Sequence, residues 1–214
     1  MEGSRLSAGI DNQETTRTEA RYDRVAPIYD LMEMLPEQQF RTWREKLWAR
    51  VPEGRVLEAG VGTGKNFPYH PPGVEVVGID ISQRMLHRAQ QRAEELGKTL
   101  ELHQMDAQRL DFPDDSFDAA VATFVFCSVP DPISGLAELR RVCRPGGRLL
   151  LLEHMRPGNF WLGLLFDALN PLMVRMTGAN INRRTMENIE RAGWKIEVAE
   201  PLSGDVVWWI EATI

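Results

Sequence analysis

Only two cysteines occur in the 214 residues, Cys127 and Cys143, and no CxxC pair is present. That excludes a disulfide framework and the common zinc spacings, so no metal site is expected. Both lie in apolar or helical context, which predicts reduced, buried thiols and a reducing, cytoplasmic setting. Residues 1–20 contain no apolar core of a secretory signal. Long apolar runs are missing too. The greasiest stretch, 160–174, is interrupted by Asp167, Asn170 and Pro171, too short and broken for a spanning helix. Excess positive charge is lacking: 31 acids outnumber 25 lysines and arginines, the net charge is −6 and the pI about 5.3. A general nucleic-acid binder needs a basic surface and is disfavoured, although a local basic patch is still allowed. Internal repeats and low-complexity segments are absent.

What is present is organised around Arg55-Val56-Leu57-Glu58-Ala59-Gly60-Val61-Gly62-Thr63-Gly64. A short apolar run leading into glycines at every second position reads as a buried strand ending in a tight turn. Val74 to Asp80 is a second apolar strand that ends in an acid. Together they describe a nucleotide crevice, with backbone where no side chain fits and a carboxylate placed for a ribose.

Around these landmarks the chain divides in order. Residues 1–17 are polar and are expected to form a mobile tail. Residues 18–54 form a helical arm: Tyr22, Val25, Ile28, Tyr29, Leu31 and Met32 cluster loosely, with Pro27 interrupting. A better helix spans Glu37–Ala49, with Phe40, Trp43, Leu47 and Trp48 inward and Arg41, Arg44 and Glu45 in water. From 55 to 214 the pattern is one domain of alternating strands and helices. Prolines 68, 71 and 72 keep the first crossover helix short. Ser82 caps the next helix, whose stripe is Met85, Leu86, Ala89, Ala93 and Leu96. Phe117 to Phe126 is almost continuously apolar, as suits a central strand buried on both faces. Asp131 and Pro132 start a further helix, and Arg148 to Glu153 is the next buried strand. An irregular apolar insert at 156–184 follows, then a helix from Asn182 or Thr185 to Ala192. Two strands, Trp194–Ala199 and Val206–Thr213, close the chain, with Trp208 and Trp209 facing opposite sides of an edge strand. The order predicts an α/β fold, a doubly wound, mostly parallel sheet with an antiparallel edge.

The glycine spacing departs from the dinucleotide pattern G-x-G-x-x-G. Glu58 directly precedes the glycines, where a pyrophosphate would be repelled and a cationic group welcomed. The ligand implied is an adenosine with a positive end, and S-adenosylmethionine fits. A nicotinamide oxidoreductase is disfavoured on the same ground.

Four motifs then carry a resemblance: LEAGVGTG at 57–64, VVGIDIS at 76–82, MDAQRLDFPDDSFDAAV at 105–121 and LRRVCRPGGRLLLLEH at 139–154. In this order the chain resembles the class I S-adenosylmethionine-dependent methyltransferases. The resemblance implies a seven-stranded sheet of order 3-2-1-4-5-7-6 with strand 7 antiparallel. It implies that Gly60, Gly62 and Gly64 surround the methionine part of the cofactor, with Glu58 beside them. Asp80 would bond the ribose hydroxyls, Ile81 would pack on adenine, and Met85 would stand nearby on the following helix. Asp106 would meet the adenine amino group with Ala107 supplying backbone N–H. Thr123 and Phe124 would face the reactive end. Glu58 also has a plain structural reading, as an acid bonded to backbone away from ligand.

Within that superfamily the arm RYDRVAPIYD at 21–30 resembles the ubiquinone and menaquinone C-methyltransferases and the small bacterial phosphatidylethanolamine N-methyltransferases. The region from EH at 153–154 to NINRRT at 180–185 also resembles membrane-associated alkyl-thiol methyltransferases. Phe126 to Asp131 departs from the quinone enzymes, as does His154. The apolar, weakly basic insert suits a lipophilic acceptor or an anionic membrane surface, and it also reads as core under the sheet. His154 is the candidate general base, and Tyr22 and Tyr29 are candidates to close over the cofactor and bond an acceptor. Cys127 is a weaker candidate for the pocket wall. His70, His87 and His103 receive no role. The leading expectation is methyl transfer to a small, partly lipophilic acceptor, first a phospholipid headgroup amine. Quinone C-methylation, thiol S-methylation and a non-catalytic cofactor-binding protein are the alternatives. The sequence Thr123–Val129 lacks the Asp/Asn-Pro-Pro-Tyr/Phe signature of nucleic-acid methyltransferases.

Overall fold

The computed structural model describes residues 12–29 and 34–214. The expected tail as far as residue 11 and the Leu31–Met32 part of the arm lie outside the described residues. The described chain opens with α1 (Asn12–Val25) and a 3-10 turn (Ala26–Ile28) begun by Pro27. Helix thus occupies 12–17, a stretch expected to be tail. A polar helix this short is marginal alone, but tertiary bonds hold this one. Gln108 donates to Thr15 at 3.1 Å and Gln104 to Glu19 at 3.0 Å. The next helix, α2 (Met34–Trp48), starts before the expected Glu37 and buries Trp43, Leu47 and Trp48. Arg44, expected in water, is only 3% exposed, and its guanidinium lies 5.8 Å over the Phe40 ring.

Seven strands form one sheet: β1 (Gly54–Ala59), β2 (Val74–Asp80), β3 (Glu101–Gln104), β4 (Phe117–Thr123), β5 (Cys143–His154), β6 (Lys195–Ser203) and β7 (Val207–Thr213). Their order is β3-β2-β1-β4-β5-β7-β6, with β7 antiparallel to both neighbours and the others parallel. This is the expected doubly wound sheet. Three details differ. The β1–β2 connection carries only a 3-10 turn, Phe67–Tyr69, where a short helix was expected. β4 stops at Thr123, not Phe126, because Phe124 turns the backbone to a φ of 59°. β7 lies between β5 and β6 and is no edge, so both tryptophans are covered. Trp209 packs with α2 on one face and Trp208 against the opposite layer.

The remaining helices are α3 (Gln83–Glu95), α4 (Pro132–Val142), α5 (Phe160–Thr177) and α6 (Thr185–Arg191). Ser82 caps α3 by accepting from Met85 N at 3.1 Å, and Asp131 caps α4 by accepting from Ile133 N and Ser134 N, each at 3.1 Å. Each such cap holds about 1 kcal/mol. Leu96, read as the end of the α3 stripe, lies past the helix and is 41% exposed. Two apolar layers sandwich the sheet. One joins β1 and β4 to α4 and α6 through Leu57, Leu136, Leu139 and Ile189, and the other joins β4 and β5 to α2 through Val121, Leu150, Leu47 and Trp48. Full burial of such a side chain stabilises by roughly 1.5–3 kcal/mol.

The insert is more regular than its sequence suggests. α5 runs unbroken through Pro171, although the ring removes one helix bond. The two polar residues read as interruptions fasten it. Asp167 accepts from Arg156 Nη2 at 2.9 Å and from Asn182 Nδ2 at 3.1 Å, and Asn170 Oδ1 accepts from Ile181 N at 2.9 Å. Phe160, Trp161, Leu164, Leu165, Leu169 and Leu172 remain exposed, Trp161 at 77%. The alternative that this stretch is core under the sheet does not hold. Among the described residues no helix is long and apolar enough to cross a membrane.

Candidate active site

The strand order reverses between β1 and β4, and parallel strands there deliver their C-terminal ends to one crevice. It holds about 690 Å³ of space, its open mouth included. Its walls contain Gly60, Gly62, Asp80, Ile81, Met85, Asp106, Ala107, Thr123, Phe124, Tyr22 and Tyr29. Glu58, Gly64, Cys127 and His154 are not on those walls. Thr18, Met105, Val125, Ser128, Val129 and Pro130 are, although nothing in the sequence singled them out.

The glycine loop works through its backbone. Gly60 has a φ of 67°, and a Cβ there would meet Val125 Cγ2 at 2.5 Å. Gly62, with a φ of 54°, has nothing within 4 Å of a Cβ position, so its side faces open space. Its N–H instead donates to Asp80 Oδ2 at 2.8 Å. Asp80 Oδ1 accepts from Ser82 N at 2.9 Å. The carboxylate is thereby tied to both the loop and the start of α3. Burial pushes its pKa up to about 6, against these two bonds, which pull it down.

Glu58 stands directly before the loop, as expected, but its side chain is not on the crevice wall. Its carboxylate is fully buried, bonded by Asn66 Nδ2 at 2.8 Å and by His70 Nε2 at 2.9 Å. Asn66 Nδ2 also donates to Thr123 Oγ1 at 3.0 Å, so Glu58 braces β1 to the end of β4. The His70 ring packs 4.2 Å from Trp48 and 5.2 Å from Phe67. His70 therefore has a structural place that its sequence context did not reveal.

Beyond Thr123 the left-handed Phe124 starts a turn at the crevice wall. Glu153, buried at the end of β5, accepts from Val125 N at 2.8 Å and Phe126 N at 2.9 Å through one oxygen. Burial raises its pKa to about 7. This acid organises the turn that carries Val125 and Ser128, a role hidden in the sequence because its partners lie 27 and 28 positions away. Cys127 is buried behind the turn, its thiol pushed up to about 12 by burial. His154 stands one ring away from the crevice: its imidazole lies 4.6 Å from the Phe124 ring and 6.2 Å from Phe40.

The arm crosses the mouth. Tyr22 OH lies 2.5 Å from Ser128 Oγ, and burial raises the phenol well above its usual range, so it stays protonated. Ser82 Oγ donates to Asp23 at 2.6 Å and Arg88 Nη1 to the Ala26 carbonyl at 2.5 Å. Thr15 Oγ1 donates to Asp106 at 3.4 Å. The acids, the open glycine and the apolar Ile81, Met85 and Met105 suit an adenosine whose ribose meets a carboxylate.

Residues 57–151 match the model of a methyltransferase domain. The chain is 35% identical over 152 residues to the demethylmenaquinone methyltransferase of Thermus thermophilus, covering 68% of this chain and 69% of that one. It is 50% identical over 103 residues to a phosphatidylethanolamine N-methyltransferase of Cereibacter sphaeroides, covering 47% of this chain and 51% of the relative. The chain thus spans about half the length of that curated relative. The crystal structure of the [4+2]-cyclase SpnF superposes with a TM-score of 0.74 at 18% identity, over 93% of this chain and 96% of that one, a likeness of fold alone.

The chain belongs to the class I S-adenosylmethionine-dependent methyltransferases. S-adenosylmethionine is accordingly its cofactor. In this methyltransferase the crevice residues Gly60, Asp80 and Thr123 sit on backbone fixed by strand ends, whereas Ser128, Thr18 and Glu153 come to the site only through tertiary contacts. A Gly-x-Gly run announces itself in sequence. A serine four residues beyond a distorted phenylalanine does not.

Proposed function

We propose that this methyltransferase transfers a methyl group to a small lipophilic acceptor, and first to the amine of a phospholipid headgroup. The observation that carries this reading is the exposed apolar ridge of α5, a greasy surface outside the core on the helix whose C-terminal end lines a cavity sharing a wall with the crevice. Such a ridge suits the edge of a bilayer, with Arg175 beside it for anionic headgroups. The relative at 50% identity supports the same class of acceptor. C-methylation of a quinone precursor is the second reading, favoured by the relative with 69% coverage.

The cofactor supplies a methyl group on a sulfonium. Gly60 and Gly62 would admit its methionine part, Asp80 would accept from the ribose hydroxyls, Ile81 and Met85 would pack on the adenine, and Asp106 with the Ala107 N–H would read its edge. Thr123 and Phe124 would close the reactive end. Tyr29 and α1 exclude water. The acceptor nitrogen attacks with its lone pair, the new N–C bond forms as the S–C bond breaks, and the electron pair returns to sulfur. The neutral Tyr22–Ser128 hydroxyl pair accepts an N–H hydrogen bond from the amine and so aims that lone pair; the released proton passes to water. His154 acts from behind Phe124, holding its ring rather than touching the acceptor.

The test incubates purified protein with methyl-labelled S-adenosylmethionine and three acceptor pools: phosphatidylethanolamine vesicles, reduced quinone precursors and small thiols. Label in the vesicle lipid is the expected result. Label confined to either other pool would replace the amine assignment.

A further inference from the structure

A second cavity adjoins the crevice through a shared wall of Thr18, Ser128 and Pro130. It holds about 760 Å³, its open mouth included, and takes Val174 and Gly178 from the end of α5. Three arginines line it: Arg17 and Arg21 on α1, and Arg183 before α6. One acid, Glu14, lines it as well. In a protein of net charge −6 this local excess of positive charge is against the overall balance.

The arginines are held open. Among the described residues neither Arg17 nor Arg21 has a carboxylate partner. Arg183 donates through Nη2 to the Val129 carbonyl at 2.7 Å, while its buried Nε has no protein acceptor. Glu14, Asp131 and Glu153 act on the Arg183 charge from nearby, but among the described residues no hydrogen bond joins any of them to its guanidinium, and a buried donor left unspent beside an open cavity points to an anionic ligand. Gly178 reinforces the placement. It ends α5 with a φ of 87°, and a Cβ there would stand 2.7 Å from Arg21 Cδ and 2.8 Å from its Nη1. The glycine lets α5 close against the arginine stem.

We infer that this cavity seats the acceptor's phosphate, a phosphodiester clamped by Arg17, Arg21 and Arg183 while its amine passes Ser128 into the crevice. The inference deepens the phospholipid reading and rests on it. Arginine is the side chain whose planar fork matches phosphate oxygens. Geometry then divides the substrate. The acyl end follows the apolar α5 ridge, the phosphate stops at the arginines, and the short ethanolamine link reaches the Tyr22–Ser128 pair on the shared wall. The two cavities have opposite character: acids for a cationic cofactor in one, guanidiniums for an anionic acceptor in the other.

The test titrates the full chain, loaded with S-adenosylhomocysteine, with glycerophosphoethanolamine, inorganic phosphate and ethanolamine. Arg21→Gln/Arg183→Gln should weaken glycerophosphoethanolamine by about tenfold or more, the scale of charge-assisted hydrogen bonds, with S-adenosylhomocysteine affinity unchanged. Inorganic phosphate should compete, and ethanolamine should not discriminate wild type from variant. Arg17→Gln, an exposed position on α1, should give a smaller loss in the same direction and serves where the double variant does not fold. Equal affinity of wild type and both variants for glycerophosphoethanolamine, or failure of phosphate to compete, overturns the seat. Labelled methyl transfer to vesicles separates the two claims. Phosphate binding lost in the variants with no vesicle methylation leaves the seat and removes the lipid acceptor. Vesicle methylation with an unchanged KM in the variants leaves the acceptor and removes the seat.

Discussion

The two flanks of the crevice are built differently. On the β1–β2 flank the polar contacts are made by backbone: Gly62 N–H to Asp80, Ser82 N–H to Asp80, and glycine surfaces where a side chain would collide. On the flank formed by Val125–Pro130 and α1, side chains reach across long sequence separations, such as Tyr22 to Ser128 and, behind it, Arg183 to Val129. Backbone contacts fix one ligand shape and leave little to substitution. Side-chain contacts allow the second ligand to differ between relatives that share the first. That contrast fits a family match that covers residues 57–151 and leaves α1 and α5 outside it.

The contrast can be broken from either side. With Asp80 in its proposed ribose role, Asp80→Ala should weaken S-adenosylmethionine by at least about a hundredfold; equal affinity by titration would remove Asp80 from that role. Gly60→Ala places a methyl against Val125 at a left-handed backbone position, and should cost about 2 kcal/mol or more in denaturant unfolding. Val125→Ala in the same chain should recover part of that loss.

Acidity sharpens the comparison further. Burial pushes the Asp80 pKa up to about 6, and its proposed ribose contact is strongest when it is ionised, so cofactor affinity should be flat above about pH 7 and fall as pH drops below 6. Fold stability should move the other way. Asp80 and Glu153 have folded pKa values above their ordinary ones, so between about pH 4 and 7 the native state binds more protons than the unfolded one. Their contribution to stability therefore falls as pH rises through that window. A pH series of calorimetric cofactor titrations beside denaturation midpoints reads both slopes. The smallest effect belongs to the exposed ridge: Trp161→Ser should change unfolding free energy by less than about 0.5 kcal/mol, yet reduce partitioning onto anionic vesicles in a sedimentation assay.

The sheet was legible because apolar strands and glycine turns are local signals. Strand ends at Ala59 and Asp80 followed directly from the sequence, and the caps Ser82 and Asp131 with them. What escaped depends on partners distant in the chain. Arg44 reads as a solvent-facing charge until α2 lies against the sheet with Phe40 beside it. Asp167 and Asn170 read as breaks in α5 until Arg156, Ile181 and Asn182 arrive to bond them. Glu58 reads as a ligand acid until His70 and Asn66 take both its oxygens. In the site, the glycines and Asp80 were visible by spacing alone, whereas Ser128, Thr18 and the buried Glu153 were not: a turn begun by a left-handed phenylalanine brings in Ser128, α1 carries Thr18, and Glu153 meets that turn from the end of β5.

Ser82 caps α3 and, through the same hydroxyl, donates to Asp23 of the arm. The bond that holds the arm at the mouth is therefore shared with the cap of α3, two residues past Asp80. Loss of the Asp23 bond would leave Ser82 with its cap alone, so the seating of the arm and the start of α3 are coupled through one hydroxyl.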